Sequence, residues 1–230
     1  MRRIVLKACL IAALAFSACY GDTGPDFSDY EKTIAGYTRR IEKKPIDQEA
    51  YYFRGLLYMS VADCQQDASL CANSLPKGRK IDENDAYRKA IADFTKAIEL
   101  GFDIDAALIY DNLPPNHSPP EIIQRSYTLN SYYFRGTLHA KLKAYQKAIA
   151  DFSVTTKSDQ YADNSADSFR ALGDIYRDLG EDEKAIGNYS AVIERDGGFV
   201  AATILTERGK LYAKRGEREK ALNDAKKACE

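Results

Sequence analysis

The chain has 230 residues, 29% of them charged and none tryptophan. That length accommodates one helical soluble domain behind a short leader. With 33 Lys/Arg against 34 Asp/Glu, the composition supplies no basic field for nucleic acid.

In chain order, Arg2, Arg3 and Lys7 flank or punctuate an apolar stretch from Ile4 to Phe16, too short and wrongly flanked for a membrane span and read as a secretory signal over residues 1–18. Phe16-Ser17-Ala18-Cys19 resembles the bacterial lipobox, with phenylalanine where leucine is usual. The resemblance implies diacylglycerol on Cys19, acyl chains anchored by about 0.8 kcal/mol per buried methylene, and loss of the signal. A plain cleaved signal with Cys19 as an ordinary thiol is the alternative. Removing Arg2, Arg3 and Lys7 leaves 30 basic against 34 acidic residues. The anchor and linker occupy residues 19–28 and extend to roughly 30 Å at most, so the domain that follows is expected near the bilayer. Tyr20, not an aspartate, follows the cysteine, which favours the periplasmic face of the outer membrane over the inner.

Beyond the linker the chain repeats itself. Gly55, Gly136, Gly173 and Gly209 each lie four residues after Tyr51, Tyr132, Phe169 or Leu205. Gly136 to Gly173 and Ala148 to Ala185 are both 37 apart; Gly173 to Gly209 and Ala185 to Ala221 are both 36 apart. A shared period for a glycine and an alanine predicts stacked pairs of helices, with small residues at each crossing and aromatics between pairs. The clearest copy places Phe169, Leu172, Gly173 and Tyr176 on one helix, breaks at Gly180, and places Ala185, Tyr189 and Val192 on the next. Tyr30, Ile34, Tyr37 and Pro45 form a preceding half copy.

These residues resemble the tetratricopeptide repeat. The resemblance implies an all-α, right-handed α-solenoid of helical hairpins over residues 29–230. Departures are arginine for leucine at Arg54, Arg135 and Arg208, and His139 and Ala225 in place of aromatics. The last copy reaches Glu230 before a closing turn, and its helix is expected to fray first.

Gly55 and Gly136 are 81 apart, so two insertions are expected, at about 62–86 within a hairpin and about 105–128 between hairpins. The first holds Cys64 and Cys71, expected to form a disulfide in an oxidising compartment and to stabilise the loop by about 2 to 3 kcal/mol. Cys229 is then left over, either as a small buried residue or as a partner for an intermolecular bridge. The second holds Pro114, Pro115, Pro119 and Pro120, which argue against a continuous helix. Loops this long are often functional; contact with a partner and neutral local packing are both open.

Catalytic chemistry finds little support. Asp22-Thr23-Gly24 matches an aspartic-protease triplet but sits in the linker. His117 and His139 with Cys64 and Cys71 have no zinc-motif spacing, and Asp159, Asp163 and Asp167 lack a calcium-loop pattern; they are expected to cap the helix starting near Ser165. No metal, cofactor or catalytic residue is expected.

What remains is a surface. By the resemblance, the first helix of each pair lines a concave groove through Tyr52, Leu56 and Met59; Tyr133, Thr137 and Ala140; Arg170, Asp174 and Arg177; and Thr206, Lys210 and Lys214. Its character would change from aromatic to mostly basic, with packing the alternative role for Tyr52 and Tyr133, since each neighbours a tyrosine already assigned to the core. The expected role is a non-enzymatic, lipid-anchored periplasmic scaffold for other envelope proteins. An enzyme or small-ligand receptor built by the two insertions, or a self-associating structural lipoprotein, are the alternatives.

Overall fold

The computed structural model describes residues 30–66, 82–101, 119–157, 164–196 and 201–229. Nine α-helices occur among them. They are α1 (Tyr30–Lys43), α2 (Gln48–Gln66), α3 (Glu83–Glu99), α4 (Pro119–Lys141), α5 (Tyr145–Lys157), α6 (Ser165–Asp178), α7 (Asp182–Asp196), α8 (Ala201–Lys214) and α9 (Arg218–Cys229). Successive helices pair as hairpins α2–α3, α4–α5, α6–α7 and α8–α9, as the repeat predicts. The chain divides into two compact units, Met1–Gly101 and Phe102–Glu230.

In the first unit α1 is the expected half copy. It ends before Pro45, and Tyr37 stacks on Phe53 of α2 with ring centroids 5.9 Å apart. Burial pushes the Tyr37 hydroxyl up to about 12. Asp47 caps α2 by accepting from the Ala50 amide at 3.1 Å, and Asp82 caps α3 by accepting from the Asp85 amide at 3.2 Å, satisfying donors that a helix start leaves open. The link between α2 and α3 spans 67–82, shorter than the insertion expected at 62–86, because α2 continues to Gln66.

In the second unit α4 begins at Pro119. The insertion expected through residue 128 therefore gives way to helix over its last ten positions. Pro119 and Pro120 are no obstacle there, since the first turn needs no amide donors from them. The turns inside the three hairpins share one form. Lys143, Gly180 and Gly216 have positive φ, and the next amide reaches back to His139, Tyr176 or Tyr212 at 2.8, 2.8 and 2.9 Å, a helix-ending motif that favours glycine. Lys143 occupies that position at φ 57°, which a side chain disfavours. Asn164, not one of the aspartates, is the N-cap of α6, and it makes no side-chain cap bond; its amide donates instead to Asn130 of α4 at 2.8 Å. Asp159 and Asp163 lie outside the described residues.

The core follows the small-residue crossings. Ala90, Ala148 and Ala185 are fully buried, as are Phe94, Phe152 and Tyr189. Each of these rings lies against the glycine of its own hairpin: a Cβ on Gly55, Gly136 or Gly173 would meet it at 2.9, 3.1 or 2.5 Å. In the last hairpin Ala225 replaces the ring, and a Cβ on Gly209 would find its nearest atom at 3.4 Å.

Candidate functional site

The arginine that departs from the repeat's usual leucine has a partner in the second helix. Arg54 donates from Nε and Nη2 to Asp93 at 2.8 and 2.7 Å, Arg135 to Asp151 at 3.0 and 2.7 Å, and Arg208 to Asp224 at 2.8 and 2.7 Å. All three aspartates are buried. The hydrogen bonds to Asp93 and to Asp224 hold the Arg54 and Arg208 guanidinium groups above their ordinary pKa. Nη1 of Arg54 reaches Thr38 of α1 at 3.0 Å, and Nη1 of Arg208 reaches Ser190 of α7 at 2.8 Å. Those hydroxyls donate in turn to the carbonyls of Ile34 and Ile186, so each network joins one hairpin to the helix before it. In α6–α7 both partners change together: the arginine position is Leu172, buried, and the aspartate position is Asn188, whose amide turns back to the Lys184 carbonyl at 2.8 Å. These arginines are structural, and the residues that can face a ligand lie elsewhere on the first helices.

In the first unit the expected groove residues Tyr52, Leu56 and Met59 are all buried. Tyr52 packs on Phe53 and Phe94, at 5.1 and 6.2 Å between centroids. In the second unit Tyr133 is likewise buried, 6.0 Å from Phe152. The aromatic end thus consists of packing side chains: two adjacent tyrosines on a helix, Tyr51-Tyr52 or Tyr132-Tyr133, can both find a neighbour when the helix is covered on two sides. Thr137 is half-buried and donates to the Tyr133 carbonyl at 3.0 Å.

The charged part is built on α6 and α8. Arg170, Asp174 and Arg177 are half-buried on α6, while Thr206, Lys210 and Lys214 are exposed on α8. Arg177 binds Asp174 at 3.0 Å, Asp178 at 3.0 Å and Glu207 of α8 at 3.2 Å. Tyr189 donates to Asp174 at 2.8 Å; burial and then this bond push its hydroxyl above the ordinary tyrosine range. Lys210 binds Glu207 at 2.7 Å, and its hydrogen bond holds Glu207 below the usual carboxylate range. Lys214 binds Asp182 of α7 at 2.7 Å. The strip expected to be mostly basic is therefore a mixed-charge strip, because Glu207, Asp178 and Asp182 stand among the cations. The three-residue spacings Asp174/Arg177 and Glu207/Lys210 were visible signs of this; the contact from Arg177 to Glu207, across neighbouring hairpins, was not. Arg170 makes no ion pair with a described residue.

His139, where other hairpins have Tyr58, Tyr176 and Tyr212, is half-buried, and burial lowers its pKa, with Arg135 and Lys147 adding to the effect against Asp151. The tyrosines carry a lysine over the ring: Lys89, Lys184 and Lys220, at 5.8, 5.1 and 5.3 Å. No group of three His, Cys, Asp or Glu side chains suited to a metal occurs among the described residues. Cys229 is exposed and unbridged, not the small buried residue considered above. Cys19, Cys71, His117 and the Cys64 side chain lie outside the described residues.

No protein-family model matches the sequence, and no curated protein matches it. Solved structures do resemble it. The crystal structure of MamA superposes with a TM-score of 0.59 at 20% identity, covering 87% of this chain and 86% of that one. MamA from Desulfovibrio magneticus RS-1 gives 0.56 at 16% identity, over 87% and 84%. YrrB, described as a TPR protein with an unusual peptide-binding site, gives 0.55 at 21% identity, over 86% and 76%. Helical hairpins in sequence order, small residues at each crossing and this likeness establish that the chain has the tetratricopeptide-repeat fold.

Proposed function

We propose that the protein is a lipid-anchored scaffold of a bacterial envelope, facing the periplasm, which binds a segment of another envelope protein along the first helices of its second unit. The observation that carries this is the Arg177–Glu207 contact. It ties α6 to α8, so Arg170, Asp174, Arg177, Thr206, Glu207, Lys210 and Lys214 stand on the linked first helices as a strip of mixed charge. Such a strip suits a segment with matching charges of both signs, since electrostatic complementarity fixes register and rejects wrong partners. YrrB, of the same fold, has a peptide-binding site by its description. The anchor rests on Cys19 and the residues before it.

A photoreactive residue replacing exposed Thr206 should capture a discrete protein in intact cells, and Arg170→Glu with Lys210→Glu should abolish the capture. Capture that survives both reversals would sink the strip as the binding surface. Metabolic labelling with palmitate tests the anchor separately: the label should enter the wild type and be absent from Cys19→Ala.

A further inference from the structure

The turn from α1 into α2 carries an exposed apolar side chain close in sequence to three exposed cations. Ile46 is 69% exposed, the most exposed large apolar residue among those described. Arg39, Lys43 and Lys44 are all exposed and make no ion pair with a described residue. The acids nearest in sequence on the α2 side, Asp47 and Glu49, do not offset them, because Arg40 holds both at 3.0 Å. Only Glu42 remains against three cations. Arg39 and Lys43 lie four residues apart on the solvent face of α1, which puts them one turn apart.

We propose that this tip is a membrane-contact patch, with Arg39, Lys43 and Lys44 on the headgroups of anionic phospholipids and Ile46 at the headgroup–acyl boundary. The proposal rests on the lipid anchor at Cys19. Ten residues separate Cys19 from Tyr30 and let the two lie at most roughly 40 Å apart, whereas the 14 residues of α1 span only about 21 Å. The far tip of α1 can therefore touch the bilayer that holds the anchor. Patch size favours lipid over protein. One bare isoleucine close in sequence to three exposed cations falls far short of the roughly 1,000 Å² that a specific protein interface needs, while a basic cluster is a sufficient second signal beside an acyl chain. Two attachment points would fix the orientation of the first unit on the membrane, where the anchor alone leaves it free to rotate.

The chain has no tryptophan, so Ile46→Trp in the full chain gives a single reporter. With vesicles of phosphatidylglycerol and phosphatidylethanolamine, the introduced indole should shift to the blue and be quenched by brominated acyl chains. With phosphatidylcholine alone it should do neither. Adding Arg39→Glu, Lys43→Glu and Lys44→Glu should weaken the response on the order of a hundredfold, with unchanged circular dichroism. Emission that stays at the solvent wavelength while the chain sediments with anionic vesicles would overturn the patch and leave the anchor standing. A response equal on both lipids, or one that survives the charge reversals, would overturn it as well. Loss of palmitate labelling would instead remove the anchor on which the proposal rests.

Discussion

Arg208 and Asp224 show how a single position governs its neighbour. Asp224 is 1% exposed, and removing the guanidinium that pairs with a buried carboxylate leaves an uncompensated polar group at a high cost. Arg208→Leu alone should therefore destabilise the chain by roughly 3–5 kcal/mol. Arg208→Leu with Asp224→Asn recreates the pairing found at Leu172 and Asn188, and urea denaturation should place it near the wild type. A harmless Arg208→Leu would contradict this account. His139 makes a second case. Its folded pKa is depressed by burial, so the unfolded chain takes up its proton first; its contribution to stability is present above the unfolded value of about 6.5 and is lost as pH falls through the folded value. His139→Tyr, copying Tyr176, should remove part of the loss of stability seen in urea on acidification from pH about 7.5 to about 5.5. His117 is common to both chains and cancels in the comparison.

Helices cross closely where glycine meets a ring. Gly173→Ala would put a Cβ 2.5 Å from Tyr189, whose ring is fully buried and whose hydroxyl is tied to Asp174. A cost of about 1–3 kcal/mol follows from overpacking. Gly209→Ala meets nothing closer than 3.4 Å and should be neutral or stabilising by up to about 1 kcal/mol, as alanine restrains a helix better than glycine. Equal effects of the two changes on the thermal midpoint would show that the ring does not govern the crossing. This layer of the fold was legible in the sequence, because glycine, alanine and ring recur at one period and each has a steric reason to do so. The site was less so. Tyr52 and Tyr133 occupy positions that can face either solvent or a neighbouring ring, and helical spacing alone does not separate the two. Helix over Pro119 to Thr128 was obscured by a rule that applies to helix interiors but not to their first turn. The Arg/Asp pairs lay in plain view, yet aspartate on a second helix reads as a solvated residue until the arginine facing it is known.

Net charge near zero conceals an alternation among the helical segments described. Bases exceed acids five to two in 30–44, and acids exceed bases seven to four over 48–66 and 82–101 together. The excess is six bases to two acids in 119–157, eight acids to four bases in 164–196, and eight bases to four acids in 201–229. Successive hairpins thus carry opposite signs. Within the second unit the consequence is visible in Lys214–Asp182 and Arg215–Glu183, which join α6–α7 to α8–α9. These pairs are partly exposed and each contributes at most about 1 kcal/mol, but they favour the sequential neighbour over any other. Raising salt from about 0.01 to 1 M shortens the screening length from about 30 to 3 Å, and sodium chloride should accordingly lower the unfolding midpoint of the chain. Reversing Lys214 and Arg215 to glutamate should flatten that dependence. A midpoint that does not move with salt in the wild type would leave the alternation without an energetic role.

The joint exchange of Leu172 and Asn188 for arginine and aspartate also limits how such a gene can be cut and rejoined. A crossover inside a hairpin, between the codons for Gly173 and Asn188, could join Leu172 to an incoming aspartate, as at Asp224, or leave an arginine from another copy facing Asn188. Either product buries half of an ion pair. A crossover in the segments between hairpins keeps each pair whole. Complete hairpins are therefore the units in which this chain is expected to recombine, and chimaeras built with breakpoints at 158–163 or 197–200 should be more stable to urea than those broken at 180.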